Sequence, residues 1–311
     1  MKRRKFLSYS FAAGGVFAAS PVFKPVNAGI NEIKNMSPDN NFHFNLNYAP
    51  HEGMFVHHAG SDLFDQIKFM ADTGFTAFED NGMMERTPEI QEKIGNELSR
   101  RGMIMGVFVV DGGDNWKVSL TTGKKEFQDN FINTCRKVVE VAKRCNARWM
   151  TVVPGYFDRD KEIGYQTSNI VDILRRGAEI FEPHGFIMVL ESLSDNPDLF
   201  LRTSQQGYAI CKAVNSPSCK MLYDIYHMQR NEGDLISHIG MAWDEIGYIQ
   251  IGDNPGRNEP NTGEINYKNI FGNLFKRGYK GVLGMEHGIS NPGIEGEEAL
   301  IQTYKAVDSF S

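Results

Sequence analysis

Four strand-like runs in the second half of the chain each end in a polar side chain, and that recurrence limits the folds available. FIMVLE ends at Glu191. MLYDIYHMQ passes from an apolar start to Tyr223, Asp224, Tyr226, His227 and Gln229. IGYIQIGD carries Gln250 and Asp253, and GVLGMEH ends at Glu286 and His287. An apolar, β-prone run followed at once by a carboxylate, an amide or an imidazole describes a strand that delivers side chains to the rim of a barrel. Four oxygen donors, each ending a different strand, are what a divalent-metal site needs.

The rest of the chain keeps the same rhythm. Strands are expected at Phe42 to Tyr48, Phe75 to Glu79, Ile104 to Val110, Arg148 to Val153, Phe186 to Glu191, Cys219 to Asp224, Ile246 to Ile251 and Gly281 to Glu286. Helices follow them. The first carries Leu63, Ile67, Phe69 and Met70 and stops at Gly74; the second starts near Pro88 and ends by Gly102; a long third ends near Cys145. Others cover about Thr167 to Pro183, Ser204 to Val214, Leu235 to Trp243, Tyr267 to Arg277 and Glu295 to Val307. Eight strand–helix units predict an α/β fold, the (β/α)8 TIM barrel. Glu191, Asp224, Gln250 and Glu286 then end the fifth to eighth strands. Neighbouring strands lie roughly 5 Å apart, so the four oxygens can converge on one ion at about 2.0–2.6 Å.

Three carboxylates and an amide are hard ligands, favouring Mg2+ or Mn2+, with Zn2+ or Ca2+ fitting less specifically. Such an ion suits a hydroxy-ketone, whose enediolate it stabilises when the C–H between the oxygens is deprotonated. Glu191 and Glu286, three strands apart, can approach a substrate from opposite sides as base and acid. One strand-end acid alone is as readily a cap for the next helix or a partner for a neighbouring Lys; four at successive ends point to a site. His227 is either a rim histidine bonded to backbone or a group that touches substrate or supports the metal. His57 and His58 are read as loop residues or substrate contacts, His287 is left open, and Asp111 to Gly123 reads as a lid or an ordinary Gly/Asp-rich turn. In DNPGRNEPNTGEINY, Arg257 is placed to pair with a substrate carboxylate or hydroxyls, or else with Glu259 or Glu264.

Composition narrows the partners. The formal net charge is −6, but residues 1–28 hold five of the 33 basic residues and no acid, leaving 28 against 39, a balance of −11. That body is not expected to bind nucleic acid through a basic face. The segment MKRRKFLSYSFAAGGVFAASPVFKPVNA has a basic start, a weakly apolar core and a small-residue end. It reads as a secretory signal, and Arg3-Arg4-Lys5-Phe6-Leu7 resembles the twin-arginine motif. The expected organisation is a signal at 1–28, a linker at 29–41 and one catalytic barrel at 42–311. The protein is expected to be exported to the periplasm by the twin-arginine machinery. Cys135, Cys145, Cys211 and Cys219 lack metal-binding spacing and read as buried free thiols.

The stretches YDIYHMQ, YIQIGDNPGRNEPNTGEINY and GMEHG resemble the hydroxypyruvate isomerase family within the xylose isomerase-like barrels. The resemblance is specific over Met221 to Glu286. It implies a metal held by Glu191, Asp224, Gln250 and Glu286, the two glutamates as acid and base, and His227 and Arg257 at the substrate. Two loops depart from that family's pattern. Glu191 is followed by Ser192-Leu193-Ser194-Asp195-Asn196-Pro197 rather than directly by proline, and Asp80-Asn81-Gly82-Met83-Met84 lacks the Pro-aromatic pattern. The substrate expected is a small hydroxy-carbonyl compound or a sugar. Rival readings are a keto-sugar epimerase or lyase, or a non-catalytic sugar-binding barrel; a homo-oligomer is open. A multi-zinc abasic-site endonuclease would want more than the 8 histidines present and a basic face.

Overall fold

The computed structural model describes residues 42–310. The expected signal (1–28) and linker (29–41) lie outside the described residues. Nine short strands are seen among them: β1 (Asn47–Ala49), β2 (Ala77–Phe78), β3 (Ile104–Met105), β4 (Phe108–Val109), β5 (Trp149–Val152), β6 (Ile187–Glu191), β7 (Cys219–Asp224), β8 (Ile246–Gln250) and β9 (Val282–Gly284). All paired strands are parallel. One sheet runs β1-β9-β8-β7-β6-β5-β4, and β2 pairs with β3. The ring closes where His51 bridges Glu79 and the Glu79 N–H donates to the Pro50 carbonyl at 3.0 Å.

The nine strands make eight staves, because the expected third strand is broken. β3 pairs back to β2 and β4 pairs forward to β5, with Gly106 and Val107 between. Glycine is required at the break, since a Cβ on Gly106 would stand 2.5 Å from the Tyr248 hydroxyl. The eight-fold ring shows most plainly in the barrel interior. Ala49, Ala77, Val107, Trp149, Val189, Leu222, Tyr248 and Val282 form one buried cluster, one residue from each stave. It is a packed plug, not a pore.

A second apolar layer lies between strands and helices. Helices α1 (Val56–Ala59), α2 (Leu63–Asp72), α3 (Pro88–Arg101), α4 (Lys125–Cys145), α5 (Ile163–Phe181), α6 (Ser204–Val214), α7 (Ile225–Asn231), α8 (Leu235–Met241), α9 (Tyr267–Lys276) and α10 (Gly293–Val307) cover the barrel. Local chemistry starts several of them. Asp62 caps α2 by accepting from the N–H groups of Phe64 and Asp65; Thr87 caps α3 ahead of Pro88; Thr203 caps α6. Gly102 ends α3 in the left-handed conformation. The C-terminal end is tied to the first stave through Asp308, which accepts from the Tyr48 hydroxyl at 2.8 Å and the Asn45 N–H at 2.6 Å. Among the described residues no helix is long and apolar enough to cross a membrane.

All four cysteines are buried and free, as expected. Burial pushes the Cys135 thiol up to about 12 and the Cys145 thiol up to about 11. Folded, these thiols hold their protons above pH 9, where the unfolded chain releases them. Unfolding therefore sheds protons in that window, and stability falls as pH rises from 9. Native protein should leave all four thiols unlabelled by an aromatic disulfide reagent at pH 8, and all four should react in denaturant. Cys135→Ala should flatten the alkaline loss of stability in urea titrations at pH 8 and pH 10. Labelling of native thiols, or an unchanged slope, would contradict this.

Candidate active site

The C-terminal rim gathers the oxygen donors through register. Parallel pairing sets Glu191 opposite Leu222, Asp224 opposite Gln250 and Gln250 opposite Gly284. Asp224 lies two residues past Leu222, and Glu286 two past Gly284. Strand side chains alternate with period two, so each two-residue step returns to the inner face. Ligand atoms of Glu191, Asp224, His227 and Glu286 all lie within 4.8 Å of one another. Gln250 is almost fully buried beside them. Glu286 sits beyond β9 rather than on it, and more of its side chain reaches solvent.

Asp224 and Gln250 each have one polar atom fixed by the protein and another left over. Asp224 caps α7: its Oδ1 accepts from the Tyr226 N–H at 2.7 Å and the His227 N–H at 3.2 Å. Its Oδ2 is buried with no donor in hydrogen-bond geometry, His227 Nε2 and Arg257 Nη2 standing off at 3.5 and 3.6 Å. Gln250 donates Nε2–H to Glu79 Oε1 at 2.9 Å, and its own Oε1 is likewise buried and unpartnered. Glu286 accepts from Asn81 Nδ2 at 3.1 Å and from Arg257 Nη2 at 2.7 Å. Buried acceptors without partners are rare and call for an explanation. Two of them among hard carboxylate and amide donors fit a divalent cation.

The electrostatics agree with that fit. Burial, then Glu286 and Asp224, pushes the Glu191 carboxyl well above the usual carboxylate range. Burial also raises Asp224 and Glu286, with the Arg257 guanidinium working against it. Clustered carboxyls in a dry rim resist ionisation together, and a divalent cation reverses that logic.

His227 and Arg257 form one wall. His227 is fully buried, and burial with the neighbouring guanidinium pushes it down to about 4, so its ring is neutral at neutral pH. The Ser194 N–H donates to Nδ1 at 3.2 Å, with the Ser194 hydroxyl at 2.8 Å. The other ring nitrogen, Nε2, stands 3.5 Å from Asp224 Oδ2 and 3.8 Å from Asp195. Arg257 Nη2 lies 3.2 Å from that Nε2 and 3.6 Å from Asp224, and the guanidinium packs over the Tyr226 ring. Arg257 holds a left-handed backbone at φ 50°, unusual for a side chain of this size. Its loop is braced by Asp253, which accepts from the N–H groups of Asn254, Gly263 and Ile265. Arg257 therefore faces the site. Glu259 instead takes Ser290, and Glu264 takes Gln229 and Asn254.

The other candidates are structural. Glu297 accepts from the backbone N–H and the ring Nδ1 of both His57 and His58, clamping α1 to α10. His287 hydrogen-bonds to the Gly288 carbonyl and the Tyr304 hydroxyl, both at 2.7 Å, and burial pushes it down to about 3. The segment 111–123 is stitched in place rather than built as a free lid. Asn115 donates to the Val110 carbonyl, Ser119 to the Asp114 carbonyl, and the Tyr156 N–H to the Lys117 carbonyl.

Sequence reasoning missed Glu79, Asn81, Ser194 and Asp195. Glu79 carried a legible signal, since it ends the second strand as Glu191 ends the fifth. Burial and nearby Glu286 raise it to about 8, against the donors Tyr248 and Gln250.

Fold and site together define a (β/α)8 barrel enzyme with a candidate metal centre at its C-terminal rim. Residues 67–307 match the family described as xylose isomerase-like TIM barrel, and the chain belongs to it. A 2-oxo-tetronate isomerase of Pectobacterium atrosepticum is 29% identical over 243 residues, 76% of this chain and 89% of that protein. Hydroxypyruvate isomerase of Escherichia coli is 36% identical over 122 residues, 39% of this chain and 47% of its own length. Among solved structures, one described as an AP endonuclease, family 2, from Brucella melitensis superposes with a TM-score of 0.69 at 21% identity. It covers 81% of this chain and 96% of its own, and at that identity it speaks for the fold alone. The curated homologues are isomerases, which supports an isomerase here.

Arg257→Met would leave the buried carboxyls without their guanidinium. Allowing for the partial exposure of Arg257, chelator-treated protein should lose about 1–3 kcal/mol of stability. A urea midpoint equal to that of the unaltered protein would contradict this charge balance.

Proposed function

We propose that this protein is a metal-dependent isomerase that interconverts a short hydroxy-ketone and the corresponding hydroxy-aldehyde, of the hydroxypyruvate type or a related sugar. The observation that carries the reading is the pair of unpartnered buried acceptors, Asp224 Oδ2 and Gln250 Oε1, set between Glu191 and Glu286. Glu191, Asp224, Gln250 and Glu286 would hold the cation, with Mg2+ or Mn2+ matching the oxygen set better than Zn2+. A cation held there supplies electrostatic stabilisation for the negative charge that builds on the substrate oxygens during proton transfer.

The chain's own groups do the rest. One of Glu191 and Glu286 takes the proton from the carbon bearing the hydroxyl, the other returns a proton to the former carbonyl carbon, and the hydroxyl proton passes to the former carbonyl oxygen, so the product keeps every hydrogen of the substrate. His227 and Arg257 together line the side of the site that a substrate oxygen would meet. Arg257 pairs with a carboxylate or with hydroxyls at the far end of the substrate. The relatives' names, 2-oxo-tetronate and hydroxypyruvate isomerase, favour short oxo acids. The leader-like residues 1–28 add the proposal that the enzyme works in the periplasm after twin-arginine export.

The test is solvent deuterium exchange, followed by NMR on Mg2+-loaded mature protein. Hydroxypyruvate, several ketoses and a 3-keto-glucoside form the panel. Exchange at the carbon beside the carbonyl is expected for at least one compound, and Glu286→Gln should slow it by about 10²–10⁴-fold. Chelator should abolish it. A loaded protein that exchanges none of them would sink the isomerase reading and favour a keto-sugar lyase or a sugar-binding barrel.

A further inference from the structure

We infer that Glu79 is a positioning residue that sets the Gln250 side-chain amide, so that oxygen rather than nitrogen faces the carboxylate cluster. The inference rests on the metal reading above and deepens it. An amide presents either end equally well by shape, and only its hydrogen-bond partners decide which. A flipped Gln250 would aim an NH2 group, which cannot ligate a cation, at the site.

The partners form a directed chain across the barrel. The Tyr248 phenol gives its hydrogen to Glu79 Oε2 at 2.7 Å. The other Glu79 oxygen accepts from Gln250 Nε2 at 2.9 Å. As a carboxylate Glu79 accepts at both oxygens, so Gln250 presents its nitrogen to it and is left with a buried Oε1 that has no hydrogen-bond donor.

The barrel wall is shaped for this chain. A Cβ on Gly284 would run into Glu79 Oε2, and one on Gly106 would crowd the Tyr248 hydroxyl. Glycine on two different staves leaves room for one carboxylate and one phenol. Glu79 is 2% exposed, and Tyr248 and Gln250 are buried with it, so no water replaces a lost partner cheaply.

The arrangement gives an unusual expectation for an isosteric change. In Glu79→Gln, the phenol still donates to position 79 and claims the new amide's oxygen. The new NH2 then faces Gln250 and turns its amide over. Adding Tyr248→Phe removes that demand, and the amide at position 79 can present its oxygen to Gln250 again. Mn2+ affinity, measured by electron paramagnetic resonance of free Mn2+ and by calorimetry, should fall about 10–100-fold in Glu79→Gln, as for lost supporting bonds at other metal sites. It should return to within about threefold of the unaltered protein in Glu79→Gln/Tyr248→Phe, with Tyr248→Phe alone also within about threefold. A merely structural or charge role for Glu79 would give no rescue. Full affinity in Glu79→Gln, or a loss that Tyr248→Phe does not restore, would overturn the inference. Failure of the unaltered protein to bind Mn2+ would instead overturn the metal reading on which it rests.

Discussion

Several like-charged oxygens held together in a dry rim are the constraint around which this barrel is arranged. Carboxyls at Glu191, Asp224 and Glu286 lie within a few ångströms of one another, and burial alone drives each toward its neutral form. The protein does not relieve that crowding by pairing every oxygen. It gives one end of a donor a structural task and leaves the other end over. Asp224 commits Oδ1 to the α7 cap and keeps Oδ2 free; Gln250 commits its nitrogen to Glu79 and keeps its oxygen free. The same hydrogen bonds that start a helix or cross the barrel therefore also aim the site.

Position follows from sheet geometry rather than from any single motif. Two-residue steps between neighbouring parallel strands keep Glu191, Asp224, Gln250 and Glu286 on one face while the rim slopes. The plug of one buried side chain per stave fixes that slope from below. Above it, the wall of His227 and Arg257 rests on loops with their own bracing. Ser194 holds His227 at Nδ1, and Asp253 ties down the turn that carries Arg257. Two short loops thus govern what a substrate meets, and both belong to stretches where loop sequence, not barrel pattern, decides shape.

Much of this is legible in the sequence, for identifiable reasons. Strands buried on both faces read as apolar runs, and their polar last residues stand out, so the pattern alone singles out Glu191, Asp224, Gln250 and Glu286. Two fold features are not legible. The third stave is split at Gly106, where the Tyr248 hydroxyl leaves no room for a Cβ, a contact between residues distant in the chain. Helix α7 escapes notice because it starts on the strand's last residue, with Asp224 serving as strand end and helix cap at once. The histidines divide by partner rather than by type. His57, His58 and His287 are held by Glu297 or by Tyr304 and a backbone carbonyl, none of which their local sequence announces. Glu79 is the one instructive miss, since its strand-end signal matched the others and lacked only a reason to be read with them.

The most direct test of a cation held by these four donors is anomalous diffraction at the manganese edge from crystals of the mature protein grown with Mn2+. The predicted result is a single strong peak at the rim. It should lie about 2.0–2.6 Å from one oxygen each of Glu191, Asp224, Gln250 and Glu286, with Gln250 contributing oxygen. A rim without a peak, or a peak ligated by His227 while Gln250 turns away, would contradict the account.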